Sequence, residues 1–453
     1  MTLPLIDTDL LNDAFVTLNE AFAELSEVQG QSAGSGELME KSATEALQAT
    51  AVRLQDNYPY HHPNYAGQML KPPHPIAQLA YTLAQSVNPN NHALDGGRAS
   101  SAMEKEAVAH IASMFGWQDR HLGHLCSGGT VANLEALWVA REQTERSGKT
   151  LSSEFSHYTH SRLSAVLGMQ HESVAADKYG RMDMNALRQH LDGNEVATVV
   201  ATLGTTSFGA VDPLAEIVEL KKEYSFRLHV DAAYGGYFQL LPELPTVADF
   251  AALTDADSIV IDPHKHGLQP YGCGCVLFAN PDDGVVYAHE SPYTYFTSDD
   301  LHLGEISLEC SRPGAAAVAL WATQKALPNV VDGAFASDLR QSREAAQRLH
   351  SWLDASEHWL PLIAPDLDIV VWVAKSTSFS EASQTSQHLF DELAKRNIHI
   401  ALLKVDAGFA SRCCPDLDPD SDTLICLRVS LMKPEHNAWL DHFFEALDAV
   451  HRA

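Results

Sequence analysis

Short apolar runs alternate with helical patterns through the middle of this chain. Runs rich in β-branched residues predict four strands, at 196–203, 227–230, 258–261 and 274–278. Helical spacing of apolar residues predicts helices around them, at 102–114, 131–141, 214–224, 313–326 and 334–355. The strands are apolar throughout rather than alternating, so both faces of their sheet should be covered. The pattern therefore predicts an α/β fold with a largely parallel sheet.

The two ends of the chain show a different pattern. Apolar residues at helical spacing from Leu10 to Leu25 predict a first helix, and a second is predicted at 37–55. The last part predicts three strands and two helices, at 368–374, 386–396, 398–403, 424–431 and 435–451. We expect three regions: an N-terminal helical segment (1–80), a large domain (81–330) and a small C-terminal α+β domain (331–453).

Composition narrows the class of protein. The 59 acidic residues against 30 basic ones give a net charge of −29, which argues against nucleic acid or an anionic membrane as partner. The N-terminus lacks the basic start and apolar core of a signal peptide, so we expect a cytoplasmic protein. Seven scattered cysteines suggest reduced thiols, and their spacing does not predict a metal site.

One lysine follows a buried strand directly. The segment Asp262-Pro-His-Lys265 comes after the apolar run 258–261. Burial disfavours the charged form of a lysine and should lower its pKa. A neutral amine can attack a carbonyl and form a Schiff base. Alternatively, Lys265 reaches solvent from the end of its strand.

Two other segments carry residues suited to a phosphorylated pyridine ring. In His229-Val-Asp231-Ala-Ala233 a strand ends on a carboxylate, which can pair with a pyridinium nitrogen, while Ala233 can pack against the ring. In Ser127-Gly-Gly-Thr130 small residues begin a helix, where backbone N–H groups accommodate an anion. The alternatives are a helix-capping aspartate and an ordinary capped turn.

These segments and two more occur in the order typical of one family. The others are His157-Tyr-Thr159 and Thr202-Leu-Gly-Thr-Thr206. Over residues 55 to 450 the chain resembles the group II amino-acid decarboxylases, which are pyridoxal-phosphate-dependent enzymes of fold type I. That family includes aromatic-amino-acid, glutamate, histidine and tyrosine or aspartate decarboxylases. The resemblance implies a mainly parallel sheet of the seven-stranded type and a homodimer with active sites at the interface.

The resemblance also implies roles for individual residues. Lys265 would hold pyridoxal 5′-phosphate as a Schiff base, Asp231 would contact the pyridine nitrogen, and His157 would stack on the ring, with His160 as the alternative. The remaining cofactor-binding residues would be Gly129, Thr130, Thr206, Ala233 and His264.

The implied reaction is the release of CO2 from an L-amino acid. A general acid must then protonate the α-carbon, and Tyr293 and Tyr295 compete for this role. Arg312 and Arg428 are candidate anchors for the substrate. Each tyrosine could instead be a packed loop residue, and each arginine could instead form a structural salt bridge.

Departures from the family pattern leave the substrate open. The chain has His266-Gly267 after the lysine, where many decarboxylases carry a bulky apolar pair expected to shape the substrate pocket. It has Asp95 to Glu104 where a Ser-Pro-containing interface motif is frequent. An aminotransferase or a carbon–carbon lyase on the same fold is the first alternative, and a non-catalytic binding protein is the second. The helices before residue 57 are expected to wrap the partner subunit.

Overall fold

The computed structural model describes residues 7–22, 36–118, 120–145, 147–288 and 301–451. A sheet of seven strands dominates it, in the order β1-β7-β6-β5-β4-β2-β3. The strands are β1 (Leu122–Cys126), β2 (Lys149–Ser153), β3 (His171–Val174), β4 (Val196–Thr202), β5 (Arg227–Asp231), β6 (Ser258–Ile261) and β7 (Gly274–Phe278).

The pairing of the strands decides where the site forms. Strands β3, β2, β4, β5 and β6 are parallel neighbours, whereas β7 runs antiparallel to β6 and to β1. The register sets Thr202 beside Asp231 and Asp231 beside Val260. The carboxyl ends of β4, β5 and β6 therefore meet at one edge of the sheet, the usual position of ligand sites in such sheets.

Both faces of the large sheet are covered. Ile259 and Ile261 pack into one buried cluster, and Val260 between them packs into another beneath α5. Every residue of β4, β6 and β7 is buried, as the uninterrupted apolar runs predicted. The helices around this sheet are α3 (Pro75–Val87), α4 (Leu94–Met114), α5 (Gly129–Gln143), α6 (Thr159–Val166), α7 (Met184–Leu191), α8 (Leu214–Glu223), α9 (Val247–Ala251) and α10 (Gly314–Ala326).

A second, antiparallel sheet forms in the C-terminal part. Its order is β10-β11-β9-β8, with β8 (Trp359–Pro361), β9 (Ile369–Ala374), β10 (Ala401–Asp406) and β11 (Thr423–Ser430). Its helices are α11 (Ala334–Asp354), α12 (Phe379–Lys395), α13 (Ala407–Cys413) and α14 (His436–His451). The strand predicted at 398–403 begins three residues later, at Ala401. Helix α12 begins at Phe379 rather than 386, because Ser378 caps it by accepting from the Glu381 N–H.

The N-terminal helices lie outside both cores. They are α1 (Thr8–Phe22) and α2 (Gly36–Leu54). Every side chain from 41 to 57 is exposed, including Leu47 at 71% and Leu54 at 62%. The expected domain boundaries at 80/81 and 330/331 stay a prediction.

Candidate active site

A cavity of about 420 Å³ opens at the carboxyl ends of β4, β5 and β6. Its wall combines the start of α5, the 157–159 segment before α6 and the three strand ends. The volume falls within the range of roughly 300–1,000 Å³ for small-molecule sites. Most residues that the sequence singled out lie on this wall: Gly129, Thr130, His157, Thr206, Asp231, Ala233, His264 and Lys265.

Lys265 stands at the turn that follows β6. Its Nζ lies 3.1 Å from Oδ2 of Asp262. Burial acts to lower the pKa of Lys265, but the negative charges of Asp262 and Asp231 outweigh it, and the pKa is raised. The expectation of a lowered pKa was therefore wrong for the protein without a ligand, because two carboxylates hold the ammonium charge.

Asp231 is the last residue of β5. Its Oδ2 lies 2.9 Å from Nε2 of His160, and its Oδ1 accepts the backbone N–H of Ala233 at 3.1 Å. Burial would raise the pKa of Asp231, but the hydrogen bond to His160 and the charge of Lys265 hold it well below its usual range. The cavity therefore contains a carboxylate that stays ionised at neutral pH.

The two histidines of the 157–160 segment occupy different places. His157 lines the cavity, and burial lowers its pKa, which keeps the ring neutral near pH 7. His160 is fully buried behind Asp231 and does not line the cavity. The geometry favours His157 over His160 as the residue that could contact a bound ring.

The start of α5 forms a narrow cradle. A Cβ on Gly129 would lie 2.7 Å from Oδ2 of Asp262, so only glycine fits there without movement. Gly128 has a φ of 152°, which a residue with a side chain rarely adopts. His264 faces the same place, and its Nδ1 donates to the Cys273 carbonyl at 2.8 Å, which fixes the ring.

Three tyrosines bear on the site, two that the sequence predicted and one that it did not. Tyr293 and Tyr295 lie outside the described residues, so their role stays a prediction. Tyr271, which the sequence did not single out, lines the cavity, and its ring centroid lies 4.8 Å from that of His264. Burial raises the pKa of Tyr271, which keeps its hydroxyl protonated at neutral pH.

The two candidate arginines differ in their surroundings. Nη1 of Arg312 lies 2.8 Å from Oε1 of Glu104 and also contacts the Leu125 carbonyl. Arg312 does not line the cavity. The structure thus places Arg312 in the structural salt bridge that the sequence left as the alternative to substrate binding.

Arg428 is buried and, like Arg312, does not line the cavity, but it contacts a residue next to the cavity wall. Its Nε donates to the Ser207 carbonyl at 3.1 Å, and Ser207 follows the cavity-lining Thr206. Its Nη1 donates to the Gly67 carbonyl at 3.2 Å, and Nη2 has no partner among the described residues. A buried guanidinium with a free donor is suited to an incoming carboxylate.

The pair after the lysine does not shape the cavity, contrary to expectation. His266 is fully buried, and its ring packs against Tyr234 and Phe238 at centroid distances of 4.8 and 5.0 Å. A Cβ on Gly267 would lie 2.6 Å from Cα of Pro263. Close packing, rather than contact with a ligand, explains both residues.

A metal site and a membrane span were not expected from the sequence. In the described ranges, His124, Cys126 and Glu135 form a buried group whose potential ligand atoms lie within 4.8 Å of one another. Both ring nitrogens of His124 already have partners, Glu135 Oε2 at 2.9 Å and the Leu125 carbonyl at 2.8 Å.

Across the described part of the chain, no helix combines the length and apolar character needed to cross a membrane.

The residues of the cavity fit pyridoxal 5′-phosphate. Asp231 offers an ionised carboxylate for a protonated ring nitrogen, Lys265 offers an amine for the aldehyde, and the cradle at Gly129 offers backbone donors for the phosphate. A lysine and an aspartate at the ends of neighbouring strands in such a sheet are typical of pyridoxal-phosphate-dependent enzymes of fold type I.

Comparison with known proteins identifies the family. Residues 58–371 match the sequence profile described as the pyridoxal-dependent decarboxylase conserved domain. The L-tyrosine decarboxylase of Enterococcus faecium is 29% identical over 77% of this chain and 75% of that protein. The L-2,4-diaminobutyrate decarboxylase of Acinetobacter baumannii is 28% identical over 78% of this chain and 76% of that protein. Mouse CSAD has the same fold, with a TM-score of 0.78 at 20% identity, over 95% of this chain and 92% of that chain.

The chain belongs to the pyridoxal-dependent decarboxylase family. It is accordingly a pyridoxal-phosphate-dependent enzyme of the carboxy-lyase class, and the predictions of fold, cofactor and enzyme class from the sequence are confirmed.

Proposed function

We propose that the protein releases CO2 from an L-amino acid at the cavity where β4, β5 and β6 end. The observation that carries the proposal is the convergence of Lys265 and an ionised Asp231 on one small-molecule-sized cavity. When bound, pyridoxal phosphate supplies an electron sink for the pair of electrons left by the departing carboxylate. The protein residues must bind the cofactor, orient the substrate and move protons.

Lys265 would attach the cofactor through Nζ. A protonated amine is not a nucleophile, so its proton must leave before the amine attacks a carbonyl. Asp262, 3.1 Å away, is the nearest acceptor for that proton. Asp262 would therefore act as the local proton acceptor as well as the counter-ion of Lys265.

Asp231 and His157 would hold the ring from different sides. The low pKa of Asp231 keeps a negative charge in the cavity, which favours a protonated pyridine nitrogen. His157 presents a neutral ring to the cavity, suited to stacking without repelling that positive charge. Ala233 and Thr206 would complete the contact with the ring.

The phosphate would lie at the start of α5. Gly129 and Thr130 begin the helix, where unpaired N–H groups and the helix dipole favour an anion. His264, fixed by its bond to Cys273, would add a donor from Nε2. Glycine is needed at 129 because Asp262 approaches closely there, and at 128 because of its φ of 152°.

The substrate itself would be held by Arg428. Its free Nη2 can pair with the α-carboxylate, and Tyr271, Tyr293 and Tyr295 are the candidate proton donors. Relatives of this chain are named for tyrosine and for 2,4-diaminobutyrate, which have unlike side chains.

We further propose a homodimer with active sites at the interface, located in the cytoplasm. Helix α2 exposes Leu47, Val52 and Leu54, and a groove of about 1280 Å³ runs from Leu54 to Tyr271 at the rim of the cavity. A second subunit covering these apolar side chains would also close the cavity. An active monomer in size-exclusion chromatography would contradict this.

A panel of L-amino acids tests the activity. We expect release of CO2 and of the matching amine in equal amounts, and no activity after Lys265→Ala. Lys395→Ala, at an exposed lysine far along the chain, is the matched control. Transfer of the amino group to a keto acid without CO2 would support the aminotransferase alternative instead.

A further inference from the structure

His160 has a position that none of the roles above uses. It lies on the buried face of α6, with no exposed surface, and it is separated from the cavity by Asp231. Its Nε2 lies 2.9 Å from Oδ2 of Asp231. Oδ1 of the same carboxylate is oriented by the Ala233 N–H at 3.1 Å. Both oxygens of Asp231 therefore accept hydrogen bonds, which fix the orientation of this cavity-lining carboxylate.

The hydrogen bonds assign the proton on the His160 ring. A carboxylate can only accept, so Nε2 of His160 must carry a proton and donate it. Nδ1 of His160 has no partner among the residues that the structure describes, although it is fully buried. A proton on Nδ1 would leave a buried donor unsatisfied, at a cost of about 1–3 kcal/mol. The geometry therefore favours a neutral ring that is protonated on Nε2.

This assignment has a consequence for charge. A neutral histidine and an ionised aspartate together carry one negative charge in a buried place. Lys265 is the nearby cation, but its Nζ contacts Asp262 rather than Asp231. The pair of His160 and Asp231 thus presents to the cavity a negative charge that has no cation in direct contact, and a protonated pyridine nitrogen would supply one.

The neighbouring histidines do not share this role. His229 makes its own bonds, through Nε2 to Asn133 at 2.7 Å and through Nδ1 to Ser258 at 2.9 Å. Its ring is 6.3 Å from that of His160. His157 lines the cavity and makes no hydrogen bond to Asp231 among the described residues. Among the described residues, His160 is therefore the side chain that orients Asp231.

We propose that His160 is a positioning residue, which keeps Asp231 ionised and aimed at the pyridine nitrogen of the bound cofactor. The inference rests on the proposed function, because it assumes that Asp231 contacts that nitrogen. Without the donor at Nε2, the carboxylate would become more basic and would take the proton from the ring nitrogen. The cofactor would then bind less tightly, and its ring would withdraw electrons less strongly.

The test compares two amide variants of similar polarity but different reach. His160→Gln can place an N–H near the original Nε2, whereas the side chain of His160→Asn is too short; His160→Leu removes the donor. The readouts are the ¹⁵N chemical shift of labelled pyridoxal phosphate bound to each protein and its dissociation constant. His436→Gln, which removes a buried histidine bonded to the Pro63 carbonyl in the C-terminal part, is the control for general destabilisation.

We expect the wild type, His160→Gln and His436→Gln to give the shift of a protonated ring nitrogen. His160→Asn and His160→Leu should move the shift toward the unprotonated position. They should also weaken cofactor binding about 10- to 100-fold, as is usual when a hydrogen bond to a charged group is lost.

Two results would overturn the inference. One is an unchanged shift and affinity in His160→Asn or His160→Leu, and the other is an equal loss in His160→Gln and His160→Asn. If His160→Leu does not fold, the comparison of the two amides decides the question. If the wild type does not bind pyridoxal phosphate at all, the proposed function fails, which is distinct from failure of this inference.

Discussion

The imidazole of His266 and the carboxylate of Asp368 face each other where the two sheets meet. Nε2 of His266 lies 3.3 Å from Oδ2 of Asp368, and both side chains are fully buried. Tyr234, which lines the cavity, donates its hydroxyl to Oδ1 of Asp368 at 2.6 Å. Asp368 precedes β9, so it connects the small antiparallel sheet to the wall of the active site.

The contact between His266 and Asp368 should make stability depend on pH. Burial raises the pKa of Asp368, but its contacts with His266 and with the Tyr234 hydroxyl lower it further than burial raises it. A carboxyl whose pKa is lowered by folding stabilises the protein above its unfolded pKa of about 3.9, and this contribution is lost as pH falls through the folded value. We expect Asp368→Asn to reduce the free energy of unfolding at pH 7 by about 1–3 kcal/mol.

Urea unfolding at several pH values would check this prediction. The difference between the wild type and Asp368→Asn should be constant above the unfolded pKa of about 3.9 and should shrink as the pH falls further, through the folded value. A difference that stays the same across this range would show that the charge of Asp368 does not matter. Asp416→Asn, at an exposed position of the C-terminal part, is the control.

The charge of Lys71 should lower, rather than raise, the stability of the folded protein at neutral pH. It is buried, its Nζ donates to the Met432 carbonyl at 3.3 Å, and burial lowers its pKa to about 8. A lysine whose pKa is lowered by folding costs stability below that pKa, because the unfolded chain binds the proton more tightly. The cost vanishes above the unfolded pKa of about 10.4.

Replacing Lys71 by methionine should therefore stabilise the protein near neutral pH. We expect a gain in the free energy of unfolding of roughly 2–4 kcal/mol at pH 7, since one pH unit of displacement corresponds to about 1.4 kcal/mol. The gain should disappear near pH 11. Lys41→Met, at a side chain that is 78% exposed, should change the unfolding curve at neither pH.

Substitutions of Arg428 and of Arg312 should differ in their effects on KM and on stability. Arg428→Met removes the free donor proposed for the α-carboxylate and should raise KM about 10- to 100-fold, as expected for loss of a hydrogen bond to a charged group. Arg312→Met breaks the buried pair with Glu104 and should instead lower stability by about 3–5 kcal/mol. Steady-state kinetics and urea unfolding of both variants would check this. An unchanged KM in folded Arg428→Met would contradict the anchoring role.

Tyr271 should matter for proton transfer if its hydroxyl serves the reaction. Tyr271→Phe keeps the ring against His264 and removes only the hydroxyl. We expect kcat to fall about 100-fold or more, the usual effect of losing a general acid, with KM little changed. Tyr179→Phe, at a half-exposed tyrosine that does not line the cavity, is the control. Full activity of Tyr271→Phe would leave the role to Tyr293 or Tyr295.

Much of the large sheet could be predicted because its central strands are apolar along their whole length. The strands predicted at 258–261 and 274–278 match β6 and β7. Strand β2 was missed because its sequence, Lys-Thr-Leu-Ser-Ser, has the composition of a turn. Thr150, Ser152 and Ser153 are nevertheless buried, and Ser152 is satisfied by Ser156 and His171.

Within the site, the sequence could predict which residues come together at the ends of the parallel strands and at the start of α5. It could not predict the sign of the pKa change at Lys265, which depends on two carboxylates whose distances only the fold sets. It also could not separate Arg312 from Arg428, since both are single arginines in strands or loops. The spacing of His157 and His160 could not separate them either, because residues three apart lie on the same face of a helix. They differ because His157 lies before α6, which begins at Thr159, whereas His160 lies within it.

The close packing around Gly267 limits which substitutions this part of the enzyme can accept. Any side chain there would meet Pro263 and Tyr237, so the turn that carries Lys265 is locked by its own packing. The groove that shares Tyr271 with the cavity is open and lined by residues from distant parts of the chain. Under the proposed function, cofactor attachment and amino-acid choice would rest on separate residues, so that new substrates could be accepted while the lysine turn stays as it is.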